Sequence, residues 1–250
     1  MNFPNRVIQT GEKNKTVCKA IQLRLNELGC GPLEGNGIFG PKTKSAVKLF
    51  QSTHRDSKGN PLEVDGRIGA ITWETLFGPA SVPIIGEASS NLLREVVNVA
   101  VSQVGMMESP PGSNKGPQVN KYLQSVGCVP GLFWCAAFVY WSFEQSAKKL
   151  KKTNPLIRTA GCIDHWNKTK GKKIPVRNAV NNPSILKPGQ IFILDHGSGM
   201  GHTGIIEKVE GGFIKTIEGN SNPLGSANGI GVFQLQRKIA RINKGFIEYK

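Results

Sequence analysis

Phe133-Trp134-Cys135-Ala136-Ala137-Phe138-Val139-Tyr140-Trp141-Ser142-Phe143-Glu144 is the stretch that decides the fold of the larger part of this 250-residue chain. It follows a loop, Gly127–Phe133, and opens an apolar helix with a cysteine at its start. Upstream, Asn91 is placed to cap a helix predicted over Leu92–Val104, and Lys115–Val126 reads as a second, shorter one. Beyond Pro188-Gly189 the pattern changes. Gln190–Asp195, Thr203–Val209, Gly212–Glu218 and Gly229–Leu235 are rich in Ile, Val and Phe and separated by glycine-rich turns, so they read as strands. Helices grouped ahead of an antiparallel sheet predict an α+β domain.

The chemistry of this half centres on Cys135. A thiol at a helix amino terminus feels the positive end of the dipole and unpaired N–H groups, which favour the thiolate. The same N–H groups can hold an oxyanion developing on an attacked carbonyl. Buried cysteines are common in cores, so a partner is needed. Of the four histidines, His54 lies in the first part of the chain and His165 in a basic loop. His202 begins the strand Thr203–Val209 and is the preferred partner, with His196 its rival in a glycine-rich turn. The next strand ends Ile217-Glu218-Gly219-Asn220, so Glu218 or Asn220 can accept from the other imidazole nitrogen and fix its orientation.

Outward to the amino terminus, Phe77–Ser90 carries two prolines, two glycines and three serines without helical period, and reads as a linker. The predicted division is a domain over 1–78, a linker over 79–90 and a second domain over 91–250. The first domain contains an echo: Asn36-Gly37-Ile38-Phe39-Gly40-Pro41-Lys42-Thr43 and Asp65-Gly66-Arg67-Ile68-Gly69-Ala70-Ile71-Thr72 share one form, 29 residues apart. Asn-Gly and Asp-Gly favour turns, and each threonine is expected to cap a following helix, Lys44–Ser52 and Trp73–Phe77. With Thr16–Leu28 these predict a small all-helical domain of three helices.

Composition excludes several classes. The longest apolar run, Leu132–Trp141, is ten residues where a membrane span needs about 20. The amino terminus lacks the apolar core of a secretory signal. Five cysteines form neither a paired zinc knuckle nor a disulfide framework. Lys and Arg total 32 against 17 Asp and Glu, a formal charge of +15, with nine basic residues and one acid between Lys148 and Lys173. Such a field attracts polyanions, whether nucleic acid, anionic lipid or an acidic wall. No base-reading motif accompanies it, so nucleic acid ranks last among the partners.

Two resemblances organise these observations. Ile21-Gln22…Leu25…Gly29, Gly37-x-Phe39-Gly40-x-x-Thr43-x-x-Ala46-Val47-x-x-Phe50-Gln51 and Asp65-Gly66-x-x-Gly69-x-x-Thr72-Trp73-x-x-Leu76 resemble the three-helix peptidoglycan-binding domain. Trp134–Val139, Lys187-Pro188-Gly189-Gln190-Ile191, Gly201-His202-Thr203-Gly204 and Glu218-Gly219-Asn220 resemble the CHAP family of cysteine amidohydrolases, which implies a papain-like core. The resemblance implies Cys135 as nucleophile, His202 as general base, Glu218 as the group orienting His202 and Asn220 as an auxiliary polar partner. Asn114 and Trp134 are expected to contact substrate. The acidic calcium-binding loop of some relatives is absent, so no metal or other cofactor is expected. Together the resemblances imply a wall hydrolase that cuts an amide of peptidoglycan, either at the sugar–peptide junction or within the stems. Made without an export signal, it would reach the wall as an endolysin does or by injection as an effector, the latter implying a delivery machine and an immunity protein as partners. A non-catalytic wall-binding component of a phage or injection particle is the remaining alternative.

Overall fold

The computed structural model describes residues 1–224 and 229–250. The chain forms two compact units, Met1–Ile84 with Val180–Ser184 and Glu210–Gly212, and Ile85–Ala179 with Ile185–Val209 and Phe213–Lys250.

The first unit is helical. α1 (Lys15–Glu27) is capped by Asn14, whose side chain accepts from the Val17 N–H. α2 (Pro41–Thr53) and α3 (Ala70–Phe77) follow. Their apolar faces meet in a core that includes Ile8, Ile21, Leu25, Val47, Phe50, Ile68, Trp73 and Leu76. The echo in the sequence is an echo in space. Gln22 in α1 donates to Asn36 Oδ1 and the Ile38 carbonyl, both at 3.0 Å, and accepts from the Gly37 N–H at 2.8 Å. Gln51, 29 residues on in α2, donates to Asp65 Oδ1 at 2.9 Å and the Arg67 carbonyl at 2.8 Å, and accepts from the Gly66 N–H at 2.8 Å. In each repeat a buried amide clamps the loop that leads into the next helix, satisfying polar groups a small core has no water to serve. The threonines do not cap as expected. The helices begin earlier, at Pro41 and Ala70, with Gly40 and Gly69 at the N-cap positions. Thr43 is buried in the first turn, accepting from Gln22 and donating to the Ile38 carbonyl.

A two-residue strand, β1 (Ile84–Ile85), lies in the connecting segment. The second unit contains α4 (Asn91–Val101), α5 (Pro117–Ser125), α6 (Cys135–Lys149) and α7 (Cys162–Lys168), and α8 (Val176–Asn181) begins in it. Ser90, rather than Asn91, caps α4 through the Leu93 N–H. The strands are β2 (Lys172–Ile174), β3 (Ile191–Gly197), β4 (Met200–Glu210), β5 (Phe213–Ser221), β6 (Gly231–Lys238) and β7 (Gly245–Glu248). They run in the order β2-β7-β3-β4-β5-β6. β3 forms a hairpin with β4, pairing Leu194 with His202, and on its other side pairs with β7. The last strand therefore lies inside the sheet, between β2 and β3, a placement the apolar pattern alone does not reveal. Ile191, Phe192 and Ile193 of β3 are all buried, as befits a central strand covered on both faces. α6 packs on this sheet through a core holding Phe138, Val139, Phe143, Ile191, Ile193, Ile205 and Ile217, and Lys148 and Lys149 sit in its last turn, where the dipole favours cations.

Candidate active site

Cys135 is the first residue of α6 and is almost fully buried. Helix and sheet approach very closely beside it. A Cβ on Gly219 of β5 would lie 2.7 Å from Phe138 Cβ and from Trp134 Cζ3, so only glycine lets α6 lie this near the strand. Across that contact the imidazole of His202, in β4, and the carboxylate of Glu218, in β5, are fully buried. His202 Nε2 and Glu218 Oε2 are 2.7 Å apart. Arg237 of β6 grips the same carboxylate with two bonds of 2.6 Å, from Nε to Oε1 and from Nη2 to Oε2, and Thr216 Oγ1 donates to Oε1. His196, the rival, lies exposed near the end of β3 and takes no part.

The charges follow from these contacts. Burial would raise the Glu218 pKa, but Arg237 and His202 outweigh it and hold it at about 2. Burial likewise opposes a charged His202, yet the hydrogen bonds and charges of Cys135 and Glu218 raise it to about 9. Cys135 is held well below the usual thiol range by Cys162 first, against the cost of burial, with His202 and the Ala136 N–H adding to the effect. The site thus favours a thiolate beside an imidazolium, the pair that attacks carbonyl carbon and then supplies a proton. His202 Nδ1 has no well-formed hydrogen bond. A loose thiol–imidazole contact is usual before substrate arrives.

Unsatisfied polar groups gather here. Among the described residues, the buried side-chain N and O atoms without a partner are Trp73 Nε1 in the first unit and, in the second, His202 Nδ1, Asn114 Oδ1 and both ends of Asn220. Such groups are costly in a core and tolerated where a ligand completes them. Asn220 and Asn114 also hold positive φ, 54° and 53°. Asn114 is tied to the site through Glu108: Oε2 accepts from the Asn114 N–H at 3.1 Å and Oε1 from Trp134 Nε1 at 2.9 Å. Trp134 differs from expectation. Its side chain is fully buried and stacks on Tyr122, leaving no surface for substrate, so it supports the start of α6.

Arg237 and Cys162, both connected to the site, escaped the sequence reading. Arg237 lies in a stretch that looks like ordinary alternating surface. Cys162, in a helix of seven residues too short to show a period, lies 3.4 Å from Cys135 Sγ to Sγ. Glu108 was expected only as part of the stretch Glu108–Gly116 lining the cleft, not as the carboxylate that joins Asn114 to Trp134. His165, expected in a loop, is buried in α7, where it bonds Tyr249 and burial lowers its pKa to about 4. Among the described residues no group of three or more His, Cys, Asp or Glu is placed to hold a metal ion. No helix among them is long and apolar enough to cross a membrane.

The second unit is thus an α+β domain in which a cysteine at a helix amino terminus lies close to a buried histidine on the sheet. The CHAP domain model matches residues 127–220, which span Cys135, His202, Glu218 and Asn220, and a peptidoglycan binding domain model matches residues 17–76. The chain joins a peptidoglycan-binding domain to a CHAP domain and is a cell-wall hydrolase of endolysin-like architecture. No solved structure matches it.

Proposed function

We propose that this protein hydrolyses an amide bond of peptidoglycan through an acyl-enzyme formed on Cys135. The observation that carries the reading is the buried His202–Glu218 pair, 2.7 Å apart, beside a cysteine at a helix amino terminus. In this mechanism the Cys135 thiolate attacks the carbonyl carbon, and backbone N–H groups at the start of α6 stabilise the oxyanion. Protonated His202 gives its proton to the leaving amine. Neutral His202 then takes a proton from water, whose oxygen attacks the thioester carbonyl, and cleavage of the C–S bond releases the acid and restores the Cys135 thiolate beside protonated His202. Glu218 keeps the imidazole oriented, and Arg237 and Thr216 keep Glu218 ionised. Asn220 serves as an auxiliary polar partner within the site, and Asn114 supplies a polar contact to the bound peptide. The division into a binding domain over 1–78, a linker over 79–90 and a hydrolase over 91–250 belongs to the same reading, and the tethered binding domain raises the local concentration of substrate.

The test uses purified peptidoglycan with wild type, Cys135→Ala and His202→Ala, and mass spectrometry of soluble products. The reading expects fragments from wild type alone. Free stem peptides with intact glycan identify an amidase, and cut stems an endopeptidase. Cleavage by Cys135→Ala equal to wild type overturns the mechanism, and sedimentation with the wall without cleavage by any form leaves a binding component.

The wider context follows the architecture. A wall-binding domain joined to a wall-cutting one serves an endolysin that must stay on its substrate, and we read the chain as one. An effector delivered by injection would share the chemistry and would be recognised by an immunity protein that blocks the Cys135 cleft.

A further inference from the structure

Beside Cys135 lies a second buried thiol that takes no part in the mechanism. Cys162 begins α7 and is as deeply buried as Cys135, and the two sulfurs lie 3.4 Å apart. This closeness is built by packing. A Cβ on Gly201 of β4 would lie 2.4 Å from the Leu194 carbonyl, 3.1 Å from Ile163 Cδ1 and 3.3 Å from Cys162 Cβ. Glycine there admits α7 against the strand, one residue before His202.

We propose that Cys162 is a positioning residue whose S–H donates to the Cys135 sulfur and holds it as the anion that faces His202. The proposal rests on the reading of Cys135 as nucleophile. Either sulfur could donate across this contact, and the surrounding charges assign the direction. Two thiols in contact cannot both ionise in a buried site, and the positive groups lie on the Cys135 side. From β4 His202 faces that sulfur, with Glu218 of β5 and Arg237 of β6 behind the imidazole. On α7 itself Asp164 is paired with Lys168 and His165 with Tyr249, so neither offers Cys162 a charge. Cys162, whose thiol is pushed well above the usual range by Cys135 and by burial, keeps its proton. Burying a thiolate without a donor on that side costs free energy, and a thiol there supplies the donor without adding charge.

The experiment follows the alkylation rate of Cys135 by iodoacetamide, located by peptide mass mapping, between about pH 5 and about pH 9 in full-length wild type, Cys162→Ala and Cys162→Ser. Wild type is expected to react with a midpoint well below that of a free thiol. Cys162→Ala is expected to move the midpoint up by about one unit, slowing alkylation about tenfold on the acid side, with the acid limb of kcat/KM for peptidoglycan moving alike. Cys162→Ser keeps a donor and is expected to recover most of the shift. An unchanged midpoint in Cys162→Ala overturns the proposal and leaves the nucleophile reading standing. Equal shifts in Ala and Ser, with circular dichroism unchanged, overturn it as well, because packing alone would then be responsible. A wild-type midpoint at the ordinary value of about 8.5 overturns the nucleophile reading and the proposal together.

Discussion

At Glu218 four donors converge on one fully buried carboxylate: Arg237 through two nitrogens, Thr216 and His202. A buried charge gripped this way is costly to leave half paired. Arg237→Met is expected to destabilise the fold by about 3–5 kcal/mol and to lower kcat/KM at least tenfold. Denaturant unfolding and fragment release check this, and adding Glu218→Gln should restore stability but not activity. The pH behaviour follows from the same contacts. Activity should rise as Cys135 ionises, well below the ordinary thiol value, and fall as His202 loses its proton near pH 9. Stability has its own limits. His202 is raised from 6.5 to about 9, so its contribution is complete below 6.5 and lost as pH rises through 9. Glu218 is lowered from 4.5 to about 2, so its contribution is present above 4.5 and lost as pH falls towards 2. Thermal melts across pH should therefore show a plateau between these limits, and a wild-type melting temperature still rising above pH 9 would contradict the assignment.

At the scale of elements, the close contact of α6 and β5 sets the distance between cysteine and histidine. Gly219→Val must push the helix off the strand or distort both, at a cost of at least about 1–3 kcal/mol, with Cys135 alkylation falling in parallel. The same scale shows what was legible in the sequence. Helical period marked α1, α2 and α4 to within a few residues, and β-branched runs marked β3 to β6, because each buries a full face. The short elements were not legible. α7 spans two turns inside a lysine-rich run, and β7 has four residues whose pairing is fixed by strands far away in the chain. Cys135 stood out by its place before an apolar helix and His202 by its place on a strand. Arg237 did not, because its task is defined by a carboxylate 19 residues earlier, across a strand pair. Trp134 misled for a related reason: an aromatic residue beside a nucleophile suggests a wall of the cleft, while burial is a property of the finished core.

For the whole molecule, binding and cutting should be separable by mutation. Gln22→Ala removes the clamp on the first loop and leaves the Gly37 N–H without its acceptor, at a cost of about 1–3 kcal/mol to the binding domain. Wall sedimentation should weaken in this variant while cleavage of small soluble muropeptides is kept. Loss of both would mean that the two activities are not carried separately. With a charge of +15, wall association should also weaken as salt rises, because exposed charges are screened over about 10 Å at 0.1 M.

The position of β7 inside the sheet bears on when in its life the protein becomes active. Chains emerge from the ribosome amino terminus first. The three helices of the first unit, clamped by side chains reaching only 14 to 16 residues along the chain, can form their contacts soon after they emerge. The hydrolase cannot. Its sheet closes only when Gly245–Glu248 slots between strands made long before, and Glu218 lacks the guanidinium that grips both its oxygens until Arg237 has been added. A chain released before Gly231 is expected to sediment with peptidoglycan and liberate no fragments from it. The cell that makes this hydrolase would meet its activity only as finished molecules, never as growing ones.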